Sequence, residues 1–166
     1  EVLTAKKKGE IGLAVSGDGL QWKYEKIVLS EGFHLSYPNV FKYRDNFYMI
    51  PESSQAKSIR LYKADVFPYR WKYVKDLLIG QKFSDSTILF HEDKLWMFTT
   101  TTTKGLKGWD LRLYYSGKLD GPWLEHPCSP VYVNDLESAR CGGNILEIDG
   151  KIIRFAQNSY SEYGSS

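Results

Sequence analysis

The sequence predicts an all-β chain, part of a β-propeller with four-stranded antiparallel blades, and three observations carry that expectation. A twelve-residue segment occurs three times without a gap, as NVFKYRDNFYMI (39–50), TILFHEDKLWMF (87–98) and NILEIDGKIIRF (144–155). A second module alternates with it, as IGLAVSGDGLQW (11–22), IRLYKADVFPYRW (59–71) and LRLYYSGKLDGPW (111–123). Each copy of the second module ends on a tryptophan, and Trp22, Trp71 and Trp123 stand 49 and 52 residues apart.

Each copy of the first module reads as a hairpin. Aromatic and β-branched residues flank a tight polar turn at Arg44-Asp45-Asn46, Glu92-Asp93-Lys94 or Asp149-Gly150-Lys151, the pattern of two strands meeting at a short loop. The second module reads as a strand, a polar turn and a Trp that opens a further strand; Trp22-Lys23-Tyr24 and Trp71-Lys72-Tyr73 are near copies. Two hairpins in about 50 residues make one four-stranded blade. A Trp recurring at one blade position is read as a packing plug between neighbouring blades. Residues 76–81 are too few for a stable helix. The β-branched run 99–103 suits an extended strand entering the loop 104–109.

These elements divide the chain into a blade fragment (1–33), a blade (34–81), a second blade (82–139) and a further fragment (140–166). That is about three blades, whereas closed propellers use four or more. The expectation is a piece of a larger propeller, or a chain needing a partner over its bare sheet edges. Composition agrees with one folded unit, since 42% hydrophobic and 15% aromatic residues in 166 supply a core that a disordered chain lacks.

Charge excludes some functions. Twenty-two Lys and Arg against twenty Asp and Glu leave +2, with Lys6-Lys7-Lys8 the one basic run, so the basic stripe of a nucleic-acid binder is missing. No apolar run approaches the ~20 residues of a membrane span. Residues 1–5 do not read as a signal peptide, and the compartment stays open. Cys128 and Cys141 fit neither CxxC nor a zinc spacing; free buried thiols are the default reading, with a disulfide between them left open. No phosphate-binding loop, dinucleotide fingerprint or EF-hand occurs, so neither cofactor nor metal is expected.

In a propeller the first strand of each blade lines the central channel and starts at one rim. The residues preceding each hairpin therefore converge: His34-Leu35-Ser36-Tyr37-Pro38, Lys82-Phe83-Ser84-Asp85-Ser86 and Arg140-Cys141-Gly142-Gly143. Tyr37, Asp85 and Gly142 are equivalent, and they differ where packing residues would match. Asp85 at this funnel suits a base, an acid or an acceptor of sugar hydroxyls; its bland reading is a turn Asp bonded to its own backbone. Glu52, where a strand ends and the chain turns, suits the same cleft as second member of a catalytic carboxylate pair; its bland reading is an exposed loop Glu. His34, Tyr37, Glu137 and Arg140 are the candidate substrate-binding residues. Arg140 precedes a Gly-Gly pair and suits a clamp on carboxylate or phosphate, or else a structural salt bridge. Trp96 and Trp109 join Tyr37 as stacking candidates. His91 and His126 sit in turns and loops, and no Ser-His-Asp order or HExxH occurs. The turn at residues 16–22 is similar to the Asp-box of sialidases, one residue short, and has a structural reading.

The runs HLSYPNVFKYRDNFYMIPESS, SIRLYKADVFPYRW, SDSTILFHEDKLWMF, GPW and ARCGGN together resemble the propeller domain of plant glucosamine inositolphosphorylceramide transferases and related bacterial proteins, from about residue 9 to 164. More distantly the pattern is similar to glycoside hydrolase families 43 and 32. The resemblance implies a five-bladed propeller, joined in the plant proteins to a separate glycosyltransferase domain. It places His34, Tyr37, Glu52, Asp85 and Arg140 on the family's motif positions. Cys141 departs from it, standing where the plant proteins often have Asn, and the family's earlier blade with its Ala-Asp-Pro-Phe-like segment has no counterpart. The expected function is glycan processing by Asp85 and Glu52, or non-catalytic carbohydrate recognition, or a structural scaffold beside a glycosyltransferase. The expected partners are a carbohydrate or glycoconjugate and the remaining blades.

Overall fold

Strand and short turn alternate along nearly the whole chain, with a single-turn 3-10 helix at Ser54–Ala56 as the helical element of the described residues. The computed structural model describes residues 1–102 and 105–160. Position 103 of the threonine run, 104 of the following loop and 161–166 of the last fragment lie outside the described residues.

Four groups of strands follow one another. The first is β1 (Val2–Leu3), β2 (Gly9–Val15) and β3 (Lys23–Leu29), in spatial order. The second is the full four-stranded blade of β4 (Ser36–Tyr43), β5 (Asn46–Glu52), β6 (Ser58–Val66) and β7 (Arg70–Ile79). The third runs β8 (Ser84–His91), β9 (Lys94–Thr102) and β10 (Trp109–Ser116), and then β11 (Leu124–Glu125) and β12 (Tyr132–Asp135) both pair with β10. The expected fourth strand is thus split in two, because Pro127 and Pro130 between its halves have no N–H for the ladder. Last come β13 (Arg140–Cys141) with β16 (Ala156–Gln157), and β14 (Leu146–Ile148) with β15 (Lys151–Ile153).

The first two repeated hairpins keep one register, and the third is shifted by one residue on its leading strand. Ser36 pairs with Glu52, Ser84 with Thr100, and Arg140 with Gln157. Their leading strands lie side by side, β4 against β8 and β8 against β13, which fans the sheets about a common axis. Apolar residues fill the wedges between sheets. Ile11, Leu35, Met49 and Tyr62 are buried in one cluster, and Ile50, Leu61, Phe83, Met97 and Trp123 in the next.

The three repeated tryptophans share one local task. Each indole N–H donates to a carbonyl a few residues back, Trp22 to Gly19 (3.2 Å), Trp71 to Pro68 (3.0 Å) and Trp123 to Leu119 (3.2 Å), closing the turn before the outermost strand. Packing differs. Trp123 is 8% exposed in the core, Trp71 packs against the Tyr62 cluster, and Trp22 is 65% exposed. The packing role is thus seen at Trp71 and Trp123, while Trp22 closes its turn with its ring exposed. In the same turn Asp18 Oδ1 accepts the N–H groups of Leu20 and Gln21, both at 2.8 Å, a structural use of the Asp-box-like residues. In urea denaturation of the chain, Trp123→Ala is expected to cost about 3–5 kcal/mol, and Trp22→Ala about 1 kcal/mol or less.

Candidate functional site

The mouth of the fan is built from both ends of each hairpin. In β4 and β8 the register slips between Ser36 and Asn39 and between Ser84 and Thr87. The bulged residues Tyr37 (φ 41°) and Asp85 (φ 49°) sit in the left-handed region. Non-glycine residues are uncommon there, and such strain concentrates where side chains must be aimed. At the equivalent position, a Cβ on Gly142 would lie 3.0–3.2 Å from the Ala156 backbone, so only glycine lets the two strands approach.

Asp85, 3% exposed, points at Arg140, 7% exposed, on the next leading strand. Arg140 donates from Nε (2.7 Å) and Nη2 (2.5 Å) to Asp85 Oδ2. Gln157 Nε2 donates to the same oxygen at 3.4 Å and to the Cys141 carbonyl at 2.7 Å. The Arg140 guanidinium carbon lies 4.8 Å from the centre of the Trp109 ring, a cation–π contact. Asp85 is therefore no self-capping turn residue; its carboxylate is a buried, multiply bonded partner of an arginine.

Glu52 stands beside this pair and accepts the Asp85 backbone N–H at 3.3 Å on Oε2. Burial pushes its carboxyl up to about 7, and the neighbouring Asp85 carboxylate adds to the rise while Arg140 opposes it. The mouth thus holds a carboxyl that exchanges its proton near neutrality. Asp85 acts on the Glu52 carboxyl both as a charge and as a hydrogen-bond partner.

Tyr37 reaches across to its neighbours. Its hydroxyl lies 3.0 Å from Thr87 Oγ1 and donates to the Gly143 carbonyl at 3.1 Å. Burial foremost pushes the phenol up to about 12. Below it, Asn39 donates to Asn144 Oδ1 at 2.6 Å and accepts the Ile88 N–H at 3.2 Å. A cavity of about 230 Å³ opens among Tyr37, Pro38, Asn39, Gly143 and Asn144.

Of the residues singled out from the sequence, Glu52, Tyr37, Asp85 and Arg140 are brought to this mouth. His34 is not in contact with them; its Nδ1 accepts the Gly9 N–H at 2.9 Å and its Nε2 lies 3.3 Å from Glu1 Oε1. Glu137 is exposed, in a turn where Asp135 Oδ1 accepts its N–H at 2.9 Å. Trp96 packs at the far end of its hairpin against Tyr115 and His126. Both cysteines are free, Cys141 buried and Cys128 exposed, so the buried-thiol reading suits only the first. No group of three or more His, Cys, Asp or Glu side chains that could hold a metal occurs among the described residues. Gln157 was missed from the sequence, although a signal was available. Aligning the trailing ends of the repeats sets Glu52, Thr100 and Gln157 at one position, just as the leading ends set Tyr37, Asp85 and Gly142.

A family model described as glucosamine inositolphosphorylceramide transferase 1, N-terminal, matches residues 3–166. The chain belongs to this family. It is 38% identical over 161 residues to glucosamine inositolphosphorylceramide transferase 1 of Oryza sativa subsp. japonica, covering 95% of this chain and 22% of that protein. The chain thus spans about a fifth of the length of the curated relatives it matches. Among solved structures it is similar to a family 117 glycoside hydrolase from Zobellia galactanivorans (TM-score 0.63, 18% identity, 74% of this chain and 42% of that one). It is also similar to the exo-β-1,3-galactanase of Phanerochaete chrysosporium with galactose (TM-score 0.66, 13% identity, 91% of this chain and 36% of that one). These likenesses show the fold of this family member, a β-propeller of which the chain forms part.

Two outcomes test the electrostatics. Arg140→Ala, which leaves Asp85 buried without its cation, is expected to destabilise the chain by about 3–5 kcal/mol. Asp85→Asn combined with Arg140→Met is expected to cost less than Arg140→Ala alone, read from urea midpoints. Because Glu52 holds its proton more tightly folded than unfolded, its contribution is complete below the ordinary value of 4.5 and is lost as pH rises through about 7. Glu52→Gln is expected to flatten that fall in a pH series of urea midpoints.

Proposed function

We propose that this domain binds the sugar part of a glycoconjugate at the propeller mouth, with Glu52, Tyr37 and the Asp85–Arg140 pair as its polar floor. The observation that carries the reading is the assembly of a proton-exchanging carboxyl, a buried ion pair and a strained tyrosine at one end of the leading strands. Buried, pre-aimed donors and acceptors suit the hydroxyls of a sugar, since a ligand lacking them would leave polar groups unpaired. Kinship with proteins named as glucosamine inositolphosphorylceramide transferases supports a glycan as the ligand class.

Catalysis is the second reading, favoured by Glu52. A carboxyl that is neutral near pH 7 can give a proton to a glycosidic or leaving-group oxygen. Asp85 fits that scheme as the charge that tunes Glu52 rather than as the opposite member of a cleaving pair, since its Oδ2 is already occupied by Arg140 and Gln157.

The longer protein supplies the rest. Leu146, Ile148, Ile152 and Phe155 present apolar side chains to solvent along the last hairpin, and a further blade or a partner chain covers them in this reading. On a glycan array with the full-length protein, Glu52→Gln and Tyr37→Phe are each expected to lower affinity about tenfold or more. Unchanged binding in both variants, or no glycan bound by the parent, would sink the reading. Turnover in the parent that Glu52→Gln abolishes while binding persists would decide for catalysis.

A further inference from the structure

We infer that Trp109 and Gln157 are positioning residues that hold Arg140 against Asp85 and thereby set the proton affinity of Glu52, and this rests on Glu52 being the working group of the proposed sugar site.

The two residues approach the ion pair from different strands. Trp109 opens β10, and Gln157 closes β16, opposite Arg140 in the ladder. The indole lies along one side of the Arg140 guanidinium at 4.8 Å. A guanidinium stacked on a ring keeps its plane fixed, so both N–H groups aimed at Asp85 Oδ2 stay aligned. Trp109 itself packs against Leu111, Ala139 and Cys141, which gives the platform a buried footing. Gln157 fixes the other partner. Its side-chain nitrogen bridges the Cys141 carbonyl (2.7 Å) and Asp85 Oδ2 (3.4 Å), so the carboxylate is tied to the strand that carries Arg140.

Glu52 is joined to this pair through the Asp85 backbone N–H. The charged groups that act on it are Asp85, which disfavours its ionised form, and Arg140, which favours it. Around Asp85 stand two further titratable groups, the Tyr37 phenol and the Cys141 thiol, both neutral at pH 7 and pushed further up by burial. Arg154 also acts on Cys141. Burial carries the largest part of the rise at Glu52, and the Asp85 anion and the Arg140 cation act on top of it in opposite directions, so the placement of that pair adjusts it. Loosening Arg140 removes attraction from Glu52 and leaves Asp85 less neutralised, and both changes raise its proton affinity. This makes Trp109 a support beneath the site, distinct from the sugar-stacking role its residue type suggests.

The test is a 13C NMR titration of the Glu52 carboxyl in the chain. The parent is expected to titrate near pH 7. Trp109→Ala and Gln157→Leu are each expected to move the midpoint up by about half a unit or more. Trp109→Phe, which keeps an aromatic face, is expected to stay near the parent, and Asp85→Asn to move the midpoint down. A merely structural role for Trp109 and Gln157 would lower the urea midpoint and leave the titration in place; a folded Gln157→Leu chain with the parent's midpoint would overturn the inference. So would a parent Glu52 titrating in the ordinary carboxylate range. If Trp109→Ala does not fold, Gln157→Leu and Trp109→Phe decide. Because the titration needs no ligand, its outcome is independent of whether the glycan array finds a sugar.

Discussion

A buried ion pair between two blades organises the mouth of this propeller. Taking Asp85 and Arg140 out of water costs several kcal/mol per ion, and attraction alone does not restore it. What makes the arrangement tenable is the company around it: two guanidinium N–H groups and one carboxamide on a single carboxylate oxygen, and an indole against the cation. Removing any one of them leaves a charge short of partners. The pair therefore ties β8 to β13 with a specificity that apolar contact does not supply.

Glu52 takes its character from that constraint. In water its carboxyl would be ionised at neutral pH. At the mouth it is partly buried, next to an anion already committed to Arg140, and so it keeps a proton that the cation only partly draws off. The character of this carboxyl is then a property of three blades acting together. The left-handed backbone at Tyr37 and Asp85 serves the same purpose. A regular strand would send these side chains alternately to its two faces, whereas a bulge turns one of them toward the axis.

Much of this was legible in the chain. Three hairpin copies with polar turns, interleaved with three Trp-terminated modules, specify strand number, order and blade spacing, because each copy has the same alternation of apolar and polar residues to bury. The convergence of Tyr37, Asp85 and Gly142 followed from repeat alignment, and the same logic applied to trailing ends reaches Gln157. The predicted positions that lie away from the mouth do so for local reasons. His34 and Glu137 belong to the same segments as the mouth residues, but a ring nitrogen engaged by the Gly9 amide and a carboxylate on an exposed Asx turn lead elsewhere. The exposed Trp22 shows that its hydrogen bond to the preceding turn is what the three copies share, while burial depends on the neighbouring sheet.

The sequence by itself determined the hairpins, their order and the family, since these depend on residue order and local pattern alone. Only the tertiary structure decided which polar residues meet. Asp85 and Arg140 are 55 positions apart, and Asp85 and Gln157 are 72 apart; nothing in either local pattern records the angle at which two blades pack. That angle brings the carboxylate to the guanidinium and buries Glu52 beside them, and this burial, with the Asp85 charge added, raises the proton affinity of Glu52 against the pull of Arg140.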